Sequence, residues 1–362
     1  MIIGHGGNVK ALAKRVCCHE KEIIDMSCNL NPLGPPEGFE AFIKDNIKEI
    51  RSLPEADAMG LISAFSKAKD IDPAQIAAGN GTTWFIYTLI QALKPENVLI
   101  CGPVYSDYKD ACIMHDVNYT FANSQEDSLF VHDLNKISDM ADSFDIIFIC
   151  NPNNPTASLI ARENLIKLIA NHPETIFIID ESYLPFVDKA ETLSLINKTE
   201  YTNLVVLSSM SKIFTIPGLR TGFLTAAPEI INYVMKYSQP WSINSLAQKG
   251  VTYLLEQQDK TTPFIEKSRQ FIKKEKKNFI ENFKDNSKIT LYPSVTSFIL
   301  AKLNSNLKSD DLCRIVGDEK ILIRDCSNFH GLSDRFVRFS LKTPEINNQL
   351  ATIVKQTLKA MV

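Results

Sequence analysis

No run of apolar residues in this 362-residue chain approaches the roughly 20 needed to cross a bilayer. Its first residues lack the order of a signal peptide, in which a charged start precedes an apolar stretch and a small-residue cleavage point. Excess charge is scarce too: 39 Lys and Arg stand against 42 Asp and Glu, a net of -3, which offers no electrostatic case for a nucleic-acid partner. None of the eight cysteines falls in a CxxC pair, and Cys17-Cys18-His19 has no second ligand cluster to complete a metal site. Internal repeats and low-complexity linkers are missing as well. These absences predict a soluble, cytoplasmic protein with reduced thiols, no metal, and neither membrane nor nucleic-acid partners. The densest basic cluster, Lys273-Lys274-Glu275-Lys276-Lys277, is short and broken by a glutamate, which predicts the solvated face of a helix.

What is present reads as an ordinary globular protein, 44% hydrophobic and 22% charged, and long enough for two lobes. Apolar runs at 97–101, 145–150, 175–179, 203–207 and 222–226 are bounded by Pro, Gly, Asn or Asp and read as strands. Helical patterns such as 161–170 lie between them, which predicts an α/β fold with a mainly parallel sheet covered on both faces. From about 244 to 283 the pattern is a long amphipathic helix interrupted by Pro263. Strand-like runs follow at 289–292, 297–301, 321–323 and 336–340, then a helix over the last ten or so residues, together an α+β lobe. The expected organisation is an N-terminal arm (1–30) packed on the smaller lobe, a large domain (31–243), and a linking helix with the small domain (244–362).

Polar signals gather just past the strands, where ligands collect in parallel sheets. Lys212 follows the 203–207 run, flanked by Ser209 and Ser211 and succeeded eight residues later by Arg220. A lysine in a loop is ordinarily a surface group. Here its amine could condense with an aldehyde while Ser209 and Arg220 hold a phosphate dianion. Asp180, at the end of another strand, could pair with a protonated pyridine nitrogen, although Asp in that place is also a common cap. Tyr183 and Asn154 could bond a ring oxygen, and Tyr105 could stack on a flat ring. Gly81 and Thr82 precede a helical stretch whose N–H groups could meet a phosphate, a signal that in isolation is usually just a turn. His19, His115, His132, His172 and His330 belong to no motif and read as structural.

Taken together, Asn151-Pro-Asn-Asn154-Pro-Thr, Asp180-Glu-Ser-Tyr183, Ser209-Met-Ser-Lys212 and Pro217-Gly-Leu-Arg220 resemble fold-type I aminotransferases in order and spacing, over essentially the whole chain. Within that superfamily, His5-Gly6-Gly7-Asn8 and Ser27-Cys28-Asn29-Leu30-Asn31-Pro32-Leu33-Gly34 resemble the opening of the L-threonine-O-3-phosphate decarboxylases of cobalamin biosynthesis. Gln239-Pro240-Trp241-Ser242-Ile243-Asn244 and the stretch from Ile323 through Arg324 to Arg338 are similar to that group too.

The resemblance implies a large mainly parallel domain with a smaller α+β domain, and pyridoxal 5'-phosphate carried by Lys212. It implies cofactor contacts from Gly81, Thr82, Tyr105, Asn154, Asp180, Tyr183, Ser209, Ser211 and Arg220. Arg338 matches the arginine that binds the α-carboxylate; Arg324 and His5 match positions near the substrate phosphate, with Asn31 assisting, and Gly6 and Asn154 are at the substrate as well. A homodimer with its active site between subunits is also implied. The expected activity is decarboxylation of L-threonine O-3-phosphate or L-serine O-phosphate to an aminoalcohol phosphate for corrinoid synthesis, with Lys212 returning a proton to the α-carbon. A histidinol-phosphate-type aminotransferase is the alternative, and a non-catalytic binding protein of the same fold is a further one. Three places depart from the pattern: Leu53 stands for a tyrosine that crosses the dimer interface, Ala157 for a glycine, and Thr82-Thr83-Trp84 for a more acidic run. Trp84 reads as a core residue.

Overall fold

The computed structural model describes residues 6–360. Its strands, in chain order, are β1 (Ile24–Asp25), β2 (Ile76–Gly79), β3 (Asn97–Gly102), β4 (Asn118–Asn123), β5 (Ile146–Cys150), β6 (Ile176–Asp180), β7 (Leu204–Ser208) and β8 (Gly222–Ala226). After them come β9 (Ile289–Leu291), β10 (Phe298–Leu303), β11 (Ile321–Leu322), β12 (Arg324–Asp325) and β13 (Phe336–Ser340). The first seven after β1 form one sheet in the order β2-β8-β7-β6-β5-β3-β4. Its centre is parallel, while β8 runs antiparallel to both β7 and β2.

The central strands are apolar at almost every position because both faces are covered. In β5, Ile146, Phe148 and Cys150 enter one core with the helices Thr82–Leu93 and Asp107–Met114. Ile147 and Ile149 enter the opposite core with Leu165, Leu168 and Ile169 of the helix Arg162–Asn171. Side chains alternate across a strand, so a strand buried on both faces must be apolar throughout. Each such Ile or Phe contributes roughly 1.5–3 kcal/mol by leaving water.

Register then places the chemistry. Cys150 stands opposite Asp180, and Asp180 opposite Leu207, so the carboxyl ends of β5, β6 and β7 finish on one edge. The segments leaving that edge carry Asn154, Asp180 and Ser209 to Lys212.

A second, antiparallel sheet has the order β12-β13-β10-β9. The N-terminal arm packs on the same lobe: β1 pairs in parallel with β11 in a separate two-stranded sheet, and Arg15 of the helix Val9–Arg15 meets Asp318 at 2.7 Å. The C-terminal helix is longer than the pattern suggested, running Pro344–Ala360. No helix among the described residues is long and apolar enough to cross a membrane.

Two sequence expectations need correction. The long helical stretch breaks at Gln257, between Ser245–Glu256 and Gln258–Glu281, and Pro263 lies inside the second helix. The N–H that a proline lacks there would serve Asp259, an exposed residue of the first turn, whose carbonyl water can satisfy. The basic cluster is not uniformly solvated either. Lys273, Lys274 and Lys277 are exposed, but Glu275 is buried and accepts from Asn347 Nδ2 at 2.9 Å, and Lys276 Nζ donates to Ser294 O at 2.7 Å. Helical periodicity turned those two residues inward despite their charge.

Candidate active site

Two adjoining cavities open at the carboxyl edge of the large sheet, and Tyr105, Asn154, Tyr183 and Lys212 line both. The first holds Asp180, Ser209, Ser211, Arg220 and the start of the helix Thr82–Leu93. The second reaches the small sheet, where Arg324 and Arg338 line it.

Asp180 is buried at the end of β6. One carboxylate oxygen accepts from Tyr108 Oη at 2.9 Å and the other from the Ser182 N–H at 2.9 Å. Burial pushes its carboxyl above the usual carboxylate range, against the opposing pull of the Ser182 and Tyr108 hydrogen bonds and the Lys212 charge. It makes no ion pair among the described residues, and a ring cation is the partner such a group lacks. Lys212 sits across the cavity. Burial lowers its ammonium below the ordinary lysine value, and the nearby Arg220 and Arg338 charges add to this against Cys28 and Asp180. A lysine so placed spends more of its time as the nucleophilic amine.

The phosphate end is built from backbone. Gly81 has φ +82°, and a Cβ there would fall 2.6 Å from Arg220 Nη2, so glycine is needed for that approach. No side chain caps the helix that begins at Thr82. Ser209 Oγ and Ser211 Oγ stand 2.7 Å apart, and the buried Thr221 Oγ1 and Ser182 Oγ have no partner among the described residues. Uncapped N–H groups, hydroxyls and a guanidinium around one end, with a buried carboxylate at the other, fit a phosphorylated pyridine. Tyr105 lines the space between.

In the second cavity Arg338 is buried at the middle of β13. It donates to Asn154 Oδ1 and, at 2.6 Å, to the Ser27 carbonyl, while its Nε has no partner among the described residues. Asn154 thus turns its oxygen to Arg338 and keeps its amide nitrogen as donor. Tyr183 Oη accepts from Asn29 Nδ2 at 3.2 Å, and burial pushes its phenol up to about 12. Arg324 is opposite Arg338 in the β12–β13 register.

Most residues singled out from sequence therefore converge, Gly6 among the second cavity's lining. Asn31 does not line either cavity. Its amide nitrogen donates to Ile213 O and Ser268 Oγ, both at 2.8 Å, and its oxygen accepts from the Leu33 N–H, so every polar atom braces the loop behind Lys212. Asn29, two residues earlier in the same motif, faces the cavity instead. His5 lies outside the described residues. Leu53 is 77% exposed and lines neither cavity. Trp84 is half-buried, edge-on to Phe85, and packs against the core as read. Ala157 is buried at φ +58°, the left-handed backbone that explains a glycine elsewhere.

Tyr108, Cys28 and Phe329 were missed. Tyr108 had no clear signal: its helix begins at Asp107, after Tyr105, so helical spacing does not link the two. Cys28 had none, since a thiol beside a pocket looks in sequence like any buried thiol; burial holds it protonated, up to about 11.

Similarity to known proteins agrees with this geometry. The chain is 32% identical over 96% of its length to the adenosylcobalamin biosynthesis bifunctional protein CobDQ of Leptospira interrogans, and spans 40% of that relative's length. Among solved structures it is similar to the histidinol-phosphate aminotransferase of Clostridium acetobutylicum (31% identity, TM-score 0.85, 93% of this chain and 100% of that one). It is also similar to the L-threonine-O-3-phosphate decarboxylase of Porphyromonas gingivalis (30% identity, TM-score 0.82, 93% of this chain and 100% of that one). Residues 21–354 match the model of the family described as aminotransferase class I and II, and the chain belongs to that family, whose cofactor is pyridoxal 5'-phosphate.

Proposed function

We propose that the protein is a decarboxylase of a small phosphorylated α-amino acid, L-threonine O-3-phosphate or L-serine O-phosphate. One observation carries this reading: two guanidiniums, Arg324 and Arg338, line the same cavity as Lys212. A phospho-amino acid brings two anions, a carboxylate and a phosphate, one for each guanidinium. The planar fork of Arg338, fixed by Asn154 and Ser27 over the Phe298 ring, suits the carboxylate. Arg324 takes the phosphate. Each charge-assisted contact is worth about 1.5–3 kcal/mol, enough to prefer a phosphorylated substrate to a plain amino acid.

When bound, pyridoxal phosphate supplies an electron sink for the pair left at the α-carbon as a bond there breaks. This chain's residues decide which bond that is. Arg338 would hold the substrate carboxylate and so set which bond at the α-carbon is placed to break. Asp180 would hold the protonated ring nitrogen, and Tyr183 and Asn154 would bond the ring oxygen. The Lys212 amine carries a proton back to the α-carbon after carbon dioxide leaves. The product is an aminoalcohol phosphate, the kind of unit a corrinoid nucleotide loop requires. The similarity to a cobalamin-pathway relative and to a threonine-phosphate decarboxylase supports this reading, and the equal similarity to histidinol-phosphate aminotransferases keeps the aminotransferase as its alternative.

A substrate panel tests it. Holoenzyme is expected to release carbon dioxide from L-threonine O-phosphate or L-serine O-phosphate without any keto acid. Glutamate made from 2-oxoglutarate, with no carbon dioxide, would make the protein an aminotransferase instead. The ratio between the two phospho-amino acids names the substrate, since one methyl is worth only about 1–3 kcal/mol of discrimination.

The same reading carries a homodimer. Ile50 and Leu53 are exposed at 66% and 77%, Trp241 at 52%, and the Trp241 N–H bonds Ala56 O, so these apolar groups share one surface. Sedimentation should give twice the 40.7 kDa of one chain, and a monomer at micromolar concentration would reject the dimer.

A further inference from the structure

The turn 326–332, which follows Arg324, is tied to the segment 121–130 at the far edge of the large sheet. His330 lies flat on Phe121, with ring centroids 4.0 Å and planes 12° apart, and Asn123 Nδ2 donates to its Nδ1 at 3.0 Å. Gly331 comes next at φ +91°. A Cβ there would fall 2.8 Å from Asn123 Nδ2, so the turn seats this closely only with glycine at that place. Farther along the segment, Glu126 accepts from Tyr292 Oη at 2.7 Å and pairs with Lys302 Nζ at 2.7 Å. Phe130 then enters a cluster with Tyr292, Cys326, Phe329 and Phe336, edge-on to Tyr292 at 5.0 Å. One strip of the large sheet's edge thus grips the small sheet through a ring stack, an ion pair and a buried aromatic.

The gripped turn carries two supports of the Arg324 side chain. Arg324 Nη2 donates to Asn328 Oδ1 at 2.8 Å, and its guanidinium lies over the Phe329 ring at 5.1 Å. His330 is the next residue along. Neither His330 nor Phe121, Asn123 or Glu126 lines the cavity, so none of them touches a substrate there. Their effect on a ligand runs through the turn.

We propose that His330, seated on Phe121 and Asn123, is a positioning residue for phosphate recognition: it holds the turn so that Asn328 and Phe329 keep Arg324 directed at the distal anion of the substrate. The inference rests on the reading of Arg324 as the group that takes that anion. A side chain whose supports are fixed before binding loses less freedom when the ligand arrives. Releasing His330 makes binding supply that ordering, and affinity falls while the chemistry at Lys212 is untouched.

The test compares His330→Ala, His330→Asn, Glu126→Gln and Arg324→Gln in holoenzyme. Binding is read by titrating L-threonine O-phosphate against the visible absorbance of the lysine-bound cofactor, which reports occupancy whether or not turnover follows. L-Alanine, which has no distal anion, is the control ligand. His330→Ala and Glu126→Gln are expected to weaken L-threonine O-phosphate by about 5- to 10-fold, and Arg324→Gln by about 10- to 100-fold, with L-alanine unchanged in all three. His330→Asn, which keeps a polar atom for Asn123 but loses the stack on Phe121, should fall between His330→Ala and the unaltered protein. Saturated turnover should stay within about twofold in the His330 variants, a KM effect without a kcat effect. If His330→Ala leaves L-threonine O-phosphate affinity unchanged while Arg324→Gln lowers it, the positioning role is wrong and the reading of Arg324 stands. If Arg324→Gln has no effect, or the unaltered protein does not bind L-threonine O-phosphate, both fall. Equal weakening of L-alanine by His330→Ala would mark general damage to the cavity and also overturn the proposal.

Discussion

Lys212→Ala is expected to abolish covalent attachment of the cofactor and to lower turnover by roughly 10⁴-fold or more, because nucleophile and proton carrier are lost together. Among the described residues the side chain makes no hydrogen bond whose loss would be a folding defect, and the Asn31 N–H meets Lys212 through its backbone carbonyl at 3.0 Å, which alanine retains. Far-ultraviolet circular dichroism should therefore be unchanged while the visible absorbance of the lysine-linked cofactor disappears. Turnover within tenfold of the unaltered protein would reject Lys212 as the catalytic lysine. The same site makes a pH statement. Burial and two nearby arginines lower the Lys212 ammonium below an ordinary lysine. A lowered value means more free amine at any given pH. The rate at which apoprotein captures the cofactor should thus hold as pH drops below the ordinary lysine value of about 10.4, and fade only below the lowered one. A rate that fell from the ordinary lysine value downwards would show that the amine is not depressed.

Asp180→Asn should be the next most damaging change, costing roughly 10²–10³-fold in turnover, the usual loss when a buried electrostatic stabiliser is removed. Asparagine keeps the volume and removes the charge that holds a proton on the ring nitrogen. It also turns an NH₂ toward Tyr108 Oη or the Ser182 N–H, both of which donate to the carboxylate now. The cofactor should still attach to Lys212, with an altered absorbance maximum, which separates this variant from one that has lost the cofactor. Tyr108→Phe, which removes one of the two donors, should cost only about tenfold, the worth of one hydrogen bond to a charged group. Near-normal turnover in Asp180→Asn would mean that the reaction does not depend on a protonated ring.

Much of this machinery was legible in the order of residues. Strands β3, β5, β6, β7 and β8 were visible because each is a short apolar run closed by turn residues, and their carboxyl ends carried the polar groups. β2 and β4 were not visible. The residues of β2, Ile76–Gly79, are mostly Ala and Gly and lack strand character, and β4 is an edge strand whose first three residues are exposed and polar or aromatic. Tertiary pairing made strands of both. Pro263 was tolerated because the carbonyl it leaves free belongs to exposed Asp259, and Glu275 turned inward because Asn347, a neighbour distant in sequence, donates to its carboxylate.

The order of residues was enough to say which ones could do chemistry, because Asn154, Asp180 and Lys212 are separated by whole strand-and-loop units that a parallel sheet must bring to one edge, and Arg220 follows in the same loop as Lys212. It was also enough to say that both faces of the sheet would be covered, since strands apolar at every position need that cover. Folding in three dimensions was needed to settle which asparagine of the Asn29-Leu30-Asn31 motif lines the cavity, that Tyr108 donates to Asp180, and that a turn of the small sheet rests on Phe121. Those choices rest on side-chain direction and on contacts between segments up to some two hundred residues apart, and neither is written in local spacing.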